Sequence, residues 1–308
     1  MLEVFLKTLP FFAVIALGYA AGRRGFFGEA ATAHLTKFVF YFALSAMLFR
    51  FSANLSLAEV FNWNFMLAYF CATSAVYLFT ITTSLWRRQS LQTAAIEAQC
   101  GVIGNVGFLG IPMLALLMGE AAIGPIMMVL AVDLIFFGSI VVILITGAQD
   151  GRMSPIMLKT IGLGLMKNPM IVSICAGFAW SGLDLPIPAP MNEFITLLGD
   201  AATPGALFAI GASLAFKSAE RIETAALLSG IKLFMHPAAV AIAALWLFAV
   251  EPFAAGVMIA AAALPTAGNV YMIAQHYGVA PQRVSATILI STVVSVLTVS
   301  VVIGWIAP

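Results

Sequence analysis

Apolar residues run along this chain in long blocks, with neither the strict alternation of a strand nor the one-sided stripe of a surface helix, and short polar or glycine- and proline-rich stretches separate the blocks. Cutting at those stretches leaves ten blocks, at about 4–21, 31–51, 63–86, 92–118, 122–146, 168–183, 190–215, 223–249, 253–277 and 283–306. A helix that crosses a hydrocarbon core about 30 Å thick needs about 20 mostly apolar residues. Each block therefore predicts a membrane-crossing helix, and the fold class is an all-α polytopic membrane protein.

Composition agrees. Of 308 residues, 62% are apolar and 9% charged, with a mean hydropathy of +1.06, whereas a water-soluble chain carries about 25% charged residues. So few polar groups cannot cover a water-facing surface. The formal net charge of +1 supplies no basic field for nucleic acid. Cys71, Cys100 and Cys175 all lie in apolar blocks without metal-ligand spacing, so they form neither a disulfide framework nor a metal site. Glu3 and Lys7 open directly into the first apolar run, so no cleavable signal is read there. There is no His-Glu-x-x-His, no P-loop and no dinucleotide glycine fingerprint, and "GASLAF" lacks the second glycine of a nucleophile elbow. An enzyme is not expected, nor an ATP-driven pump, nor a cofactor.

Lysine and arginine in the short loops set the orientation. One set of loops holds Arg23, Arg24, Arg87, Arg88, Arg152, Lys159, Lys167, Lys217, Arg221 and Arg283; the opposite face has Lys7 and Arg50. Both termini are expected on the non-cytoplasmic side of the cell (inner) membrane, with Lys37 and Lys232 inside segments and outside this count. The connection 147–167, "GAQDGRMSPIMLKTIGLGLMK", divides the segments five and five and reads as cytoplasmic, in part an interfacial amphipathic helix. The two halves, 1–150 and 151–308, then enter the membrane from opposite sides, as an inverted repeat does. Segment four carries "VIGNVGFLGIP" and segment nine, its counterpart, "PTAGNVYMIAQ". Gly104-Asn105-Val106 and Gly268-Asn269-Val270 thus recur at the equivalent helix of each half. A weaker echo pairs "ALSAMLF" (43–49) with "ATPGALF" (202–208) in segments two and seven.

Glycine and proline spoil a helix, and in hydrocarbon the freed backbone groups are tolerated only where they are buried in protein or line a wet cavity. The breaks at Gly104 to Pro112 and at Pro265 to Gly268 are therefore expected to meet near the midplane from opposite directions. Each break starts a half-helix whose N-terminus carries about half a positive charge. Two such ends make an anion site, with Gly104, Asn105, Thr266, Gly268 and Asn269 as its lining and Pro112 and Pro265 holding the helices open. The amides of Asn105 and Asn269 can donate to a carboxylate.

Ionisable residues inside segments are few. Asp133, close to the midplane of segment five, is a candidate for coupling to protons or sodium, or for a structural bond to the broken helices. Asp200, one turn before Pro204, is placed to bond the amides freed by that proline and is the second ion-coupling candidate. Lys232 and His236 lie a turn apart, the lysine able to snorkel toward the cytoplasm and the histidine reading as a satisfied core residue. Glu97 is expected to pair with arginines on the cytoplasmic side.

At these residues the chain resembles the auxin efflux carrier family, which includes the plant PIN auxin exporters and bacterial carriers of malonate or malate. "NVGFLGIP" is similar to the PIN pattern Asn-Thr-Leu-Val-Met-Gly-Ile-Pro, "KNPMIVSICAGFAW" (167–180) to the family's Arg-Asn-Pro start of the sixth helix, with Gly177 and Trp180 in register. "GDAATPGALFAIG" (199–211) and "AAALPTAGNVYMIAQHYGV" (261–279) match the seventh and ninth helices. The resemblance implies a ten-helix 5+5 inverted repeat whose helices four and nine cross at their prolines, an elevator-like domain moving against a scaffold, contact of Asn105 with substrate carboxylate, and a homodimer. Two departures matter: the long phosphorylatable plant loop is here about twenty residues, and Ala267-Gly268-Asn269-Val270 stands where the plant sequence has Gly-Ile-Val-Pro, so auxin is not the expected substrate. The expectation is a secondary transporter of small mono- or dicarboxylates, partnered by its substrate and the lipid bilayer. A cation/proton exchanger and a passive channel or sensor are its rivals.

Overall fold

Several helices of the computed structural model, which describes residues 2–55, 61–150, 162–163, 166–216 and 221–306, begin at a side-chain cap. Helix α1 is Leu2–Arg23, and α2 (Glu29–Ala53) and α3 (Trp63–Trp86) follow. The Asn62 side chain accepts from Phe65 N–H at 3.0 Å at the start of α3, and Ser90 accepts from Thr93 N–H at 3.2 Å at the start of α4, Leu91–Val102. After a break come α5 (Val106–Met118) and α6 (Glu120–Ala148). Helix α7 (Pro169–Gly182) has Asn168 as cap and proline at its first position, where no donor is lost. Helices α8 (Ala189–Leu214) and α9 (Ile222–Leu247) precede α10, Pro252–Ala262, which Glu251 caps by accepting from Phe253 and Ala254 N–H at 3.0 and 2.8 Å. Helix α11 is Gly268–Tyr277 and α12 is Pro281–Ile306.

Six of these, α2, α3, α6, α8, α9 and α12, are long and apolar enough to cross a membrane, and the apolar stretches of α1, α5, α7 and α10 are shorter. Among the described residues all regular structure is helical, apart from one isolated backbone bridge. The connection 147–167 for the most part, with Arg152 and Lys159, and also Lys217, lies outside the described residues.

The polarity of the helix faces is the reverse of a soluble protein's. On α12, Ser291 and Ser295 are wholly buried while Val293 and Leu297 are 63% and 64% exposed; on α3, Thr73, Thr80 and Ser84 are buried while Leu78 and Phe79 face outward. Hydrocarbon rewards this arrangement, because buried hydroxyls find carbonyls inside the bundle and apolar side chains meet lipid.

Packing divides the helices into two groups. Helix α1 packs along α8, and α2 along α7 and α8; the second group joins α3, α4, α5, α6, α9, α10, α11 and α12. The first group is drawn together by glycines. A Cβ on Gly211 in α8 would lie 1.8 Å from the Ile15 carbonyl oxygen of α1, one on Gly18 would lie 2.2 Å from the Phe208 oxygen, and one on Gly177 would lie 2.7 Å from the Phe49 oxygen. Backbones at this distance gain dispersion along their whole length, which is how small residues drive helix association in lipid. The groups touch where Thr8 and Ser300 hydroxyls share a 2.8 Å hydrogen bond and where the Phe40 and Phe108 rings stack at 6.1 Å.

Candidate substrate site at the two broken helices

Between α4 and α5 the chain runs extended through Ile103, and between α10 and α11 it runs extended into Ala267. The two breaks meet as an antiparallel bridge between Gly104 and Thr266. Asn105 N–H donates to the Pro265 carbonyl at 2.8 Å and Ala267 N–H to the Ile103 carbonyl at 3.0 Å, so the backbone groups freed by one break are satisfied by the other, as hydrocarbon requires. Thr266 secures the joint: its N–H donates to Ser291 Oγ at 3.1 Å and its hydroxyl to the Cys100 carbonyl at 2.9 Å. Both Thr266 donors are thereby committed to protein.

Asn105 is the pivot of the first break. Its φ of −75° and ψ of 55° form an inverse γ-turn that lets Val106 N–H reach the Gly104 carbonyl at 2.7 Å, while its own carbonyl takes Leu109 and Gly110 N–H at 3.1 and 2.9 Å. The following turn, Val106–Gly110, is a wide π-turn. Pro112 lies just beyond it; having no N–H, proline cannot bond the Phe108 carbonyl and its ring crowds that oxygen, which the wide turn relieves. The amides of Gly107 and Phe108 remain as first-turn donors of α5, and those of Gly268 and Asn269 as first-turn donors of α11. Gly268 is exposed, with open space where a Cβ would be. Asn269 Oδ1 is buried without a hydrogen-bond partner, and no hydrogen bond engages the Asn105 side chain within the described residues. Two half-helix N-termini and two uncommitted side-chain amides therefore surround the bridge.

Beneath the bridge lies the lysine of α9. Lys232 is completely buried; its ammonium donates to the Ala262 carbonyl at 2.5 Å and to His236 Nδ1 at 3.1 Å. A Cβ on Gly104 would lie 3.4 Å from Lys232 Nζ and 3.1 Å from the Ala261 oxygen, so glycine here admits the close approach of three chain segments. The expected snorkelling does not occur. Lys232 is ten residues into α9, about 15 Å from its start at 1.5 Å per residue, farther than a lysine stem reaches. His236 is the satisfied core residue that was expected: its Nδ1 lies 3.1 Å from Lys232 Nζ and its Nε2 3.1 Å from Thr73 Oγ1, so both ring nitrogens have a partner. The missed signal is a lysine in the middle of an apolar segment, four residues before a histidine on the same face.

Asp133 does not bond the broken helices. It begins another π-turn, Asp133–Phe137, its Oδ1 accepts from the Tyr69 hydroxyl at 2.8 Å, and its Oδ2 is buried without a partner. The Tyr69 ring lies 5.9 Å from that of His236, which is itself the partner of Lys232. Asp200 stands elsewhere. Its side chain is 67% exposed and sits 3.8 Å from Arg50, and Gly205 N–H bonds the Ala201 carbonyl, so Asp200 does not serve the amides near Pro204. Glu97 is buried and paired, as expected, with Arg87 and with Arg283 at 2.5 Å. Ser84 adds a hydroxyl at 2.5 Å, which ties the end of α3 to the middle of α4 and the start of α12.

Over residues 3–303 the chain matches the family described as "Membrane transport protein". It is 31% identical over 306 residues, 97% of this chain and 95% of the other, to a Rhizobium meliloti (strain 1021) protein named "Putative malonate transporter". It is also 25% identical over 228 residues to the Mus musculus "Lysosomal cholesterol signaling protein", covering 70% of this chain but 26% of that longer protein. A multi-pass bundle with interrupted apolar helices, matched along nearly its whole length, belongs to the membrane transport protein family, the auxin efflux carrier family that its motifs resemble.

Proposed function

We propose that this protein is a secondary transporter that moves small organic anions, mono- or dicarboxylates of the malonate and malate kind, by elevator-like alternating access. The observation that carries the reading is the Gly104–Thr266 bridge, because it sets the electropositive starts of α5 and α11 around one place. In this reading α4 with α5 is a single broken span and α10 with α11 another, which makes ten spans in a 5+5 inverted repeat, with both termini on the non-cytoplasmic side and a homodimer as the assembly. The malonate name of the Rhizobium meliloti relative supports the substrate class. The two packing groups support a scaffold of α1, α2, α7 and α8 against a moving body. Asn105 and Asn269 hold the carboxylate there, and the closeness of Gly107 to the Met170 side chain of α7 supports a site that faces the scaffold. A cavity of about 280 Å³ lined by Asn62, Phe65, Gly124, Pro125, Met128 and Glu251 opens where α3, α6 and α10 start and is the proposed outer vestibule.

A second reading, cation/proton exchange, gains from Asp133, whose partner Tyr69 packs against His236, the partner of Lys232, since such exchangers need a charged group near the acid. Reconstituted protein is expected to take up labelled malonate saturably and to show counterflow against unlabelled malonate. Flux without counterflow indicates a channel. Loss of transport in Asp133→Asn combined with unchanged cation-driven proton movement in wild type lacking any organic acid favours the exchanger.

A further inference from the structure

We propose that Met170, backed by the stacked rings of Phe40 and Phe108, sets the size of substrate that the site admits and restricts the carrier to short, unbranched dicarboxylates of the malonate kind. This rests on the transport reading above and names the substrate class of the same site.

Gly107 is the second residue of the wide turn Val106–Gly110 that opens α5, and its amide is one of that helix's first-turn donors. A Cβ on Gly107 would lie 2.6 Å from Met170 Cε and 3.7 Å from its Sδ, so the methyl end of Met170 rests on the backbone where a carboxylate is to bind. Met170 is 3% exposed. Its backbone is fixed as well: it is the second residue of α7, and its N–H donates to Asn168 Oδ1 at 3.0 Å. The next residue along α5, Phe108, lays its ring over that of Phe40 on α2, with 5° between the planes and 6.1 Å between centroids. Helix α2 is in turn locked to α7, where a Cβ on Gly177 would lie 2.7 Å from the Phe49 oxygen. A thioether and two rings thus close the side of the α5 start that faces the scaffold.

These three side chains offer a carboxylate no hydrogen-bond donor. A carboxylate pressed against them would lose water and gain nothing, which is costly. A substrate therefore keeps its charges on the side of the bridge, at the starts of α5 and α11 and the side-chain amides of Asn269 and of Asn105, which is 7% exposed. A diacid can place one carboxylate at each start, which a monoacid cannot. A longer diacid, or a malonate with a bulky group on its central carbon, must push part of itself into the space that Met170 fills. The end of a methionine is flexible and yields to a small intruder; a ring requires the whole side chain to leave.

The test uses full-length protein in liposomes, labelled malonate as the transported probe, and unlabelled malonate, 2-benzylmalonate, glutarate and acetate as competitors. Benzylmalonate carries the same two carboxylates as malonate, so it differs in bulk alone. In wild type, malonate is expected to inhibit at least about tenfold more strongly than each of the other three, the scale on which an apolar pocket discriminates by size. Met170→Ala is expected to narrow the gap between benzylmalonate and malonate at least about tenfold while leaving the gap between acetate and malonate as it was. Met170→Leu, of similar volume, is expected to keep all the wild-type ratios. A merely structural role would weaken every acid alike. Wild type inhibited by benzylmalonate or glutarate as strongly as by malonate, folded Met170→Ala with the wild-type ratios, or labelled acetate taken up in preference to malonate, each overturns the proposal and leaves the transport reading standing. Should Met170→Ala not fold, Met170→Val takes its place, and the wild-type ratios decide if neither folds. No malonate uptake by wild type, with other organic acids equally inactive, contradicts the transport reading instead.

Discussion

Asn105→Ala is expected to abolish uptake while leaving the protein folded. Everything that Asn105 does for the fold uses its backbone: its N–H goes to the Pro265 carbonyl and its own carbonyl to the amides of Leu109 and Gly110. Its dihedrals, φ −75° and ψ 55°, are open to alanine. The side-chain amide, which has no hydrogen-bond partner among the described residues, is what alanine removes. A hydrogen bond to a charged group is worth about 1.5–3 kcal/mol, so affinity for a carboxylate should fall about ten- to a hundredfold, and uptake at substrate concentrations near the wild-type KM should drop about five- to fiftyfold, toward background. Gel filtration and circular dichroism check the fold, and isotope uptake with titration of malonate checks the function. Wild-type uptake by the folded variant removes Asn105 from the site.

Gly211→Val is expected to prevent α1 and α8 from packing. The added Cβ would lie 1.8 Å from the Ile15 oxygen and 2.9 Å from Tyr19 N, both backbone atoms on a helix that cannot bend aside locally. The helices must separate, and with them go the contacts made at Gly18 and Gly22, whose neighbours include backbone atoms of Phe208 and Ala212 in α8. Overpacking costs about 1–3 kcal/mol where side chains can yield, and here they cannot, so loss of monodisperse protein is the expected readout. Gly230→Ala on α9 is the control: no atom lies within 4 Å of its Cβ position, and alanine is favoured over glycine in a helix by about 1 kcal/mol. Equal behaviour of the two variants would contradict the close-packed α1–α8 contact.

Local signals carried much of this architecture. Asn62, Ser90, Asn168 and Glu251 cap helices at or within a few residues of the expected starts. The Gly-Asn-Val repeats mark both breaks, because glycine and proline act on their own turn. What stayed hidden depends on contacts distant in sequence. Thr266 joins Cys100, 166 residues away, and no spacing rule announces that a threonine beside a break will fasten it. Lys232 was read as reaching for water because its burial is created by Gly104 and Ala262, on two other segments. Asp200 was assigned to nearby amides, yet a long-range partner, Arg50 of α2, stands beside it. The π-turns at Asp133 and Lys232 leave no trace in hydrophobic periodicity, which tolerates one extra residue inside an apolar run.

The most direct measurement is a cryo-electron microscopy reconstruction of the purified protein with saturating malonate. The account predicts a helix interrupted between Val102 and Val106, and ligand density within hydrogen-bonding distance of the Asn105 side chain and of the first turn of α11. A continuous helix from Leu91 to Met118, or malonate bound away from the bridge, contradicts it.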